Sequence, residues 1–299
     1  MKSVNHMSLI ESEGLMIKFK VPATSANVGP GFDCLGLSYT FCNEYKVEKS
    51  DTMLIEGCDP LHTTKDNIFN KAFIATMKKL KKKGSFHVYY KPEIPASRGL
   101  GSSASVIVAG CKTANLLYGG KNKLSDNEIF QIASKIEGHP DNVAPAIFGG
   151  LTASTKLSDG TFFHTKYKVS NKLHFYTLIP DFKTSTEEAR KILPKSYKKE
   201  EVIEMISHSV LMVEALHKGK FELLKTVCKD HVHEPYRKTL IKDYDKIKKE
   251  VEKNGDAVLL ISGSGPTLLV ISKKSNFDKT LKLKNTTANW EIKKMKIKK

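Results

Sequence analysis

The apolar positions of this chain switch repeatedly between two periods. From Met16 the run M-I-K-F-K-V alternates apolar with polar residues, the period of a half-buried strand. Pro22 should stop that strand, since proline cannot donate to a ladder. Residues 39–47, 53–58 and 87–90 read as further strands. Ile68, Phe69, Ala72, Phe73, Met77 and Leu80 recur at i, i+3/i+4 spacing, which predicts a helix capped at Asp66-Asn67 and ended by Gly84. Residues 105–117 are small and apolar on nearly every side, the mark of a buried helix. Ser125 stands three residues before Glu128, a capping box that opens a helix to about Ile136.

Beyond Gly149-Gly150 the pattern predicts strands at 151–154, 161–169 and 173–179. Helices follow near 200–217, 221–228 and 240–253, then strands at 257–262 and 268–272. Helices mixed with antiparallel strand pairs, and no internal repeat, predict an α+β fold. We divide it into residues 15–165 and 166–299, with the polar, aperiodic 1–14 as a loose extension.

A length of 299 residues is enough for one large or two medium cores. With 40% apolar and 27% charged residues the composition excludes a disordered or collagen-like chain. The net charge of +17 leaves nucleic acid, acidic membrane surfaces and anionic small substrates open as partners. It is unevenly spread: residues 272–299 hold ten lysines against Asp278 and Glu291, a net +8. Arginines are few and no aromatic-interleaved basic strand appears, so a specific nucleic-acid partner is not expected. The five cysteines (Cys34, Cys42, Cys58, Cys111 and Cys228) are scattered without a C-x-x-C pair. No apolar run is long enough for a signal peptide or a membrane span. A cytoplasmic chain with no membrane partner is the expectation.

Three loops carry candidate chemistry. Pro95, Ala96, Ser97, Arg98, Gly99, Leu100, Gly101, Ser102, Ser103, Ala104 and Ser105 run from a predicted strand into the buried helix. Glycines there let backbone approach a ligand, and the helix N-terminus favours an anion. This is a phosphate cradle without the Lys-[Ser/Thr] of a Walker loop. Residues 21–33 form a long apolar loop with one amide, Asn27, and one carboxylate, Asp33. Glu137, His139 and Asn142 lie within six residues after a helix, suited to metal binding, acid/base work or substrate hydrogen bonds. Thr186 and Arg190 are four apart, on one helical face, and Arg237 follows in HEPYR. Paired arginines suit bidentate capture of a carboxylate.

Taken in this order, with the late SGSGPT, these segments resemble the GHMP kinases. VPATSANVGPGFDCLGL, EGHPDNVAPAIFGG, ARKILP and HEPYR are similar to the branch that phosphorylates the amino acid L-homoserine on the threonine pathway. The likeness spans about Val21 to Thr267. It implies an N-terminal domain like the second domain of ribosomal protein S5 and a ferredoxin-like C-terminal domain, commonly in a homodimer. It implies that residues 95–105 wrap the phosphates of ATP and that Ser103 sits near Mg²⁺ with an acid. That acid is Glu137, although relatives place a glutamate slightly earlier, where this chain has Gln131. Asn27, Asp33, His139, Asn142, Thr186, Arg190 and Arg237 match positions around the amino acid, Asp33 suiting its ammonium and the arginines its carboxylate. Gly263 and Ser264 close the floor of the cleft.

Relatives that use a catalytic base carry an aspartate where this chain has Asn142, and an amide cannot take a proton. Asn142 is therefore expected to orient the hydroxyl, with His139 the rival base. The alternatives are a mevalonate- or sugar-type kinase of the same family, or a basic nucleic-acid binder.

Overall fold

The computed structural model describes residues 16–58 and 63–299. The expected 1–14 extension and part of the loop after residue 58 lie outside them. β1 (Ile17–Ala26), β2 (Leu35–Ser50), β3 (Leu54–Glu56), β4 (Ser85–Lys91), β5 (Leu151–Lys156) and β6 (Phe162–Tyr167) form one sheet. The order is β3-β4-β2-β5-β6, with β1 paired only to β2. Packed on it are α1 (Ile68–Leu80), α2 (Ser102–Tyr118), α3 (Asp126–Glu137) and α4 (Val143–Phe148).

The second sheet, in order β10-β7-β9-β8, contains β7 (His174–Pro180), β8 (Ala257–Ile261), β9 (Leu268–Ser272) and β10 (Trp290–Met295). Its helices are α5 (Thr186–Lys191), α6 (Lys199–Lys218), α7 (Phe221–Val227), α8 (Glu234–Arg237), α9 (Tyr244–Glu252) and α10 (Phe277–Thr280). The α+β, two-domain organisation expected from the sequence is the one present. No helix among the described residues is long and apolar enough to cross a membrane.

Side-chain period explains the layering. In β8, Val258 and Leu260 join a core shared with the first sheet, whereas Ala257, Leu259 and Ile261 join another under α9. A strand covered on both faces reads as a continuous apolar run, which is why AVLLI shows no alternation. The shared core includes Leu35, Leu37, Tyr39 and Leu151 from the first sheet and Phe175, Leu269 and Ile271 from the second.

Three local expectations need correction. Pro22 does not end β1: the strand has one partner only, and its register shifts at a bulge between Pro22 and Thr24 before pairing resumes. Helix α1 is closed by Lys81 in the left-handed region at φ +55°, not by Gly84. The helix predicted at 240–253 begins at Tyr244, after a 3-10 turn at Lys238–Leu240. The capping box at Ser125 and the Asn67 cap are both formed.

Gly36 shows how the fold sets the site. A Cβ there would lie 1.9 Å from the carbonyl oxygen of Asp141 and 2.7 Å from Pro145, so β2 and the loop into α4 touch backbone to backbone. Gly36→Ala should cost about 1–3 kcal/mol by overpacking, read as a lower urea midpoint at unchanged slope. Unaltered stability would mean that the loop yields freely there.

Candidate active site

A cleft of about 620 Å³ is lined by residues of both halves of the chain. That size suits a small-molecule site. One region is apolar, with Ile55, Ile68, Phe69, Val88 and Tyr90; another carries Glu137, His139, Asp141, Arg190 and Arg237. The loop from Pro95 to Ser103 lies along it, apart from the inward-turned Leu100.

The loop is held by its carbonyls. The Thr24 N–H donates to Leu100 O at 3.1 Å, Ser262 Oγ to Gly99 O at 2.6 Å, and the Thr267 N–H to Arg98 O at 3.2 Å. Gly101 caps the 17-residue α2 with φ +67° and no side-chain cap. Its Cβ would stand 1.9 Å from Thr24 Oγ1, so only glycine fits. The first amides of α2 therefore remain for an anion. Three residues of the expected nucleotide loop turn their side chains inward. Leu100 and Ala104 are buried in the cores, and Ser105 Oγ accepts from Asn43 Nδ2 at 3.1 Å beneath the helix. Arg98 reaches across to donate to Pro180 O and Asp181 O, both at 3.0 Å, and so braces the loop against β7.

After α3, Gly138 turns left-handed and aims the next residues into the cleft. Ser103 Oγ donates to Glu137 Oε2 at 2.8 Å. Burial raises the Glu137 pKa against the opposing help of Ser103 and His139. Gln131 is committed elsewhere, donating to Phe162 O and accepting from its N–H. His139 Nδ1 lies 2.5 Å from Asp141 Oδ1, with the Asp141 side chain 1% exposed. Burial opposes a charged imidazole, but the hydrogen bond and charge of Asp141, with Glu137 beyond, outweigh it and raise the His139 pKa. Thr24 Oγ1 donates to Asn142 Oδ1 at 2.8 Å, which leaves the Asn142 amide as a donor.

The remaining predicted residues meet at one end. Asn27 Oδ1 accepts from the Asp33 N–H at 2.8 Å, and its Nδ2 donates to Gly263 O at 2.9 Å. Its side chain braces the loop and keeps a second N–H and lone pair on the cleft lining. Arg190 binds Asp33 in a fork, Nη2 to Oδ1 at 2.7 Å and Nη1 to Oδ2 at 3.1 Å. Arg237 is 1% exposed and donates to Ala189 O and Gly263 O, both at 3.0 Å. Burial, then Arg190, lowers its pKa to about 10, still charged at neutral pH. Thr186 Oγ1 and Ser264 Oγ are 3.2 Å apart at the rim.

Sequence reasoning missed Thr24, Phe32 and His233 as functional residues. Phe32 lies under both guanidinium groups, 5.8 Å from Arg190 and 5.2 Å from Arg237. The fully buried His233 stacks on Phe32 and meets Gly29 O at 3.2 Å. HEPYR contained the signal, since a histidine on a buried turn needs a partner; its partner was 204 residues away.

An anion-binding helix start beside a zwitterion-sized set of charges defines a small-molecule phosphotransferase site. The sequence matches the GHMP kinases N terminal domain over residues 67–150 and the GHMP kinases C terminal over 212–282. The chain belongs to the GHMP kinase family, and within it to the homoserine kinases. It is 41% identical to the homoserine kinase of Clostridium botulinum (strain Okra / Type B1) over 289 residues, 94% of this chain and 96% of that one. With the homoserine kinase of Clostridium kluyveri it shares 41% over 273 residues, 90% of each chain. The crystal structure of a homoserine kinase from Cytophaga hutchinsonii matches at TM-score 0.83 and 26% identity, covering 98% of both chains. The mevalonate kinase of L. major, at TM-score 0.68 and 16% identity over 93% and 95% of the two chains, shares the fold.

The His139–Asp141 pair makes a pH prediction. A raised pKa keeps the imidazolium to higher pH than an ordinary histidine. Its contribution to stability is full below pH 6.5 and is lost as pH rises through the folded value. The ring-proton NMR titration of His139 should have its midpoint above 6.5. Asp141→Asn should bring it down, because burial is then opposed only by the weaker effect of Glu137; no downward movement would contradict the pairing.

Proposed function

We propose that the chain transfers the γ-phosphoryl group of ATP to the side-chain hydroxyl of L-homoserine, giving O-phospho-L-homoserine and ADP. The observation that carries this reading is the placement of Arg190 and Arg237 in one cleft with the loop ending at Ser103, and of Asp33 in a fork with Arg190. An amino acid needs an anion for its ammonium and cations for its carboxylate. Mevalonate has no ammonium for Asp33 to meet, nor has a simple sugar.

In this reading the apolar region takes the adenine, and the amides at the start of α2 take the phosphates. Ser103 and Glu137 would hold Mg²⁺. Their oxygens adjoin, and a carboxylate whose pKa is raised by burial is one that a divalent cation would relieve. The metal would neutralise phosphate charge. Asn142 donates to the acceptor hydroxyl oxygen and orients it for in-line attack. The proton leaves with a phosphate oxygen or with water, since phosphoryl transfer through a loose transition state depends mainly on positioning and charge. His139, paired with Asp141, is read as a binding group rather than as the base.

We further propose that two copies pair through α6. Val202, Ile203, Ile206, Val210 and Leu211 form an apolar stripe between 40% and 68% exposed. A stripe of this kind marks an interface. The occupant that suits it is a second copy. An antiparallel pairing centred between Ile206 and Ser207 sets Ile203 on Val210, Val202 on Leu211 and Lys199 on Glu214, a self-complementary pattern. Ile206→Lys should give a monomer by sedimentation with kcat unchanged; a persistent dimer would exclude this face.

ADP release assayed with homoserine, mevalonate and galactose tests the substrate, with homoserine expected to exceed the others. A general base is worth about 10²- to 10⁴-fold. His139→Leu should lower kcat by less than about 10²-fold, and a loss beyond about 10³-fold would make the imidazole the base.

A further inference from the structure

We infer that Asp33 and Arg190 act as a latch that makes the site demand both charges of its substrate at once. This rests on the amino-acid reading of the site. The two groups belong to different halves of the chain, 157 residues apart, yet they close on each other in a bidentate pair at 2.7 and 3.1 Å. They are the same two groups that a zwitterion would occupy. Asp33 cannot readily turn away, because its backbone N–H is tied to Asn27 and its φ is +51°. Arg190 is seated over Phe32, and Arg237 is already fixed by two carbonyls.

The consequence is an exchange of ion pairs. A zwitterion replaces one internal pair with two external ones and leaves no charge alone. A ligand with only a carboxylate must draw Arg190 away from Asp33. It then leaves that carboxylate without its bidentate partner, beside Asp141, whose Oδ2 already has no partner, and with only His139 and Arg237 as neighbouring cations. A ligand with only an ammonium leaves Arg190 without its bidentate partner, beside Arg237, with Asp141 and Glu137 the remaining acids that act on it. Each singly charged ligand thus loses a contact and also breaks the latch without replacing its bidentate pairing. The pair is therefore a selectivity element, distinct from the attraction either residue exerts on the substrate.

The latch makes a prediction of unusual sign. 4-Hydroxybutanoate is homoserine without its ammonium, and 3-aminopropan-1-ol is homoserine without its carboxylate. In Asp33→Asn, which keeps the shape and the Asn27 contact, homoserine kcat/KM should fall about tenfold or more. In the same variant 4-hydroxybutanoate should bind better than to the unaltered chain, by about fivefold, the scale of a half-exposed bidentate pair. In Arg190→Gln, 3-aminopropan-1-ol should gain while homoserine loses. Binding is read as inhibition constants against homoserine and by calorimetry, with retained ATP binding as the check on folding. If the unaltered chain does not turn over homoserine, the amino-acid reading fails, and the latch with it. If it does, and neither analogue gains in its matching variant, the latch alone is overturned.

Discussion

Thr24 joins the three parts that make the cleft. Its N–H holds Leu100 O, its hydroxyl holds Asn142 Oδ1, and its Oγ1 fills the space that a side chain at Gly101 would need. One residue on β1 therefore sets both the loop before α2 and the Asn142 amide on the cleft lining. The bulge just before it turns the strand so that these bonds can form. Preorganisation of this kind is what a phosphoryl-transfer site needs, because a displaced amide or hydroxyl loses most of the benefit of orientation.

The second half of the chain accepts a cost to support the same geometry. Asp230, His233, Glu234 and Arg237 are all buried. Asp230 Oδ2 accepts the N–H groups of His233 and Glu234, and Glu234 accepts the Ile261 N–H at 2.6 Å. Burial, reinforced by Asp230, pushes the Glu234 pKa up to about 8, so at neutral pH it is largely the uncharged acid. Burial likewise lowers the His233 pKa and keeps the ring neutral. Arg237 is thus the cation that the cluster presents to the cleft. Unpaired burial of these groups would be expensive, and their hydrogen bonds offset much of it.

Periodicity and caps made most elements legible in the sequence: α1 with Asn67, α3 with its capping box, and the paired strands of both sheets. Local chemistry also pointed to the phosphate loop, since glycine followed by serines at a helix start has few other uses. What stayed hidden was set by distance along the chain. Thr24 looks like any strand threonine until Asn142, 118 residues away, arrives beside it. The inward turn of Leu100 and Ser105 followed from packing against two cores, which no motif records. Pro22 misled because the rule against proline in strands holds for paired interior strands, and β1 has a single partner.

The basic tail shows the same limit and decides how the cleft opens. Its lysines suggest a solvated extension, yet β10 pairs with β7 and the chain then crosses to the first sheet. There the Thr40 N–H donates to Lys296 O at 2.8 Å, the Lys298 N–H to Ser38 O at 2.9 Å, and the Gly150 N–H to Lys298 O at 2.6 Å. Ile297 packs on the core that both sheets share. Domains joined by a small polar interface move easily, whereas a continuous apolar core with backbone hydrogen bonds across it resists hinge motion. The two sheets are stitched in this second way. Admission of a substrate therefore falls to side chains, and in the proposed latch these are Asp33 and Arg190, the latter on the cleft lining. A rigid frame with an exchangeable ion pair admits by charge matching rather than by opening, and that suits an enzyme that must choose an amino acid among the many small alcohols around it.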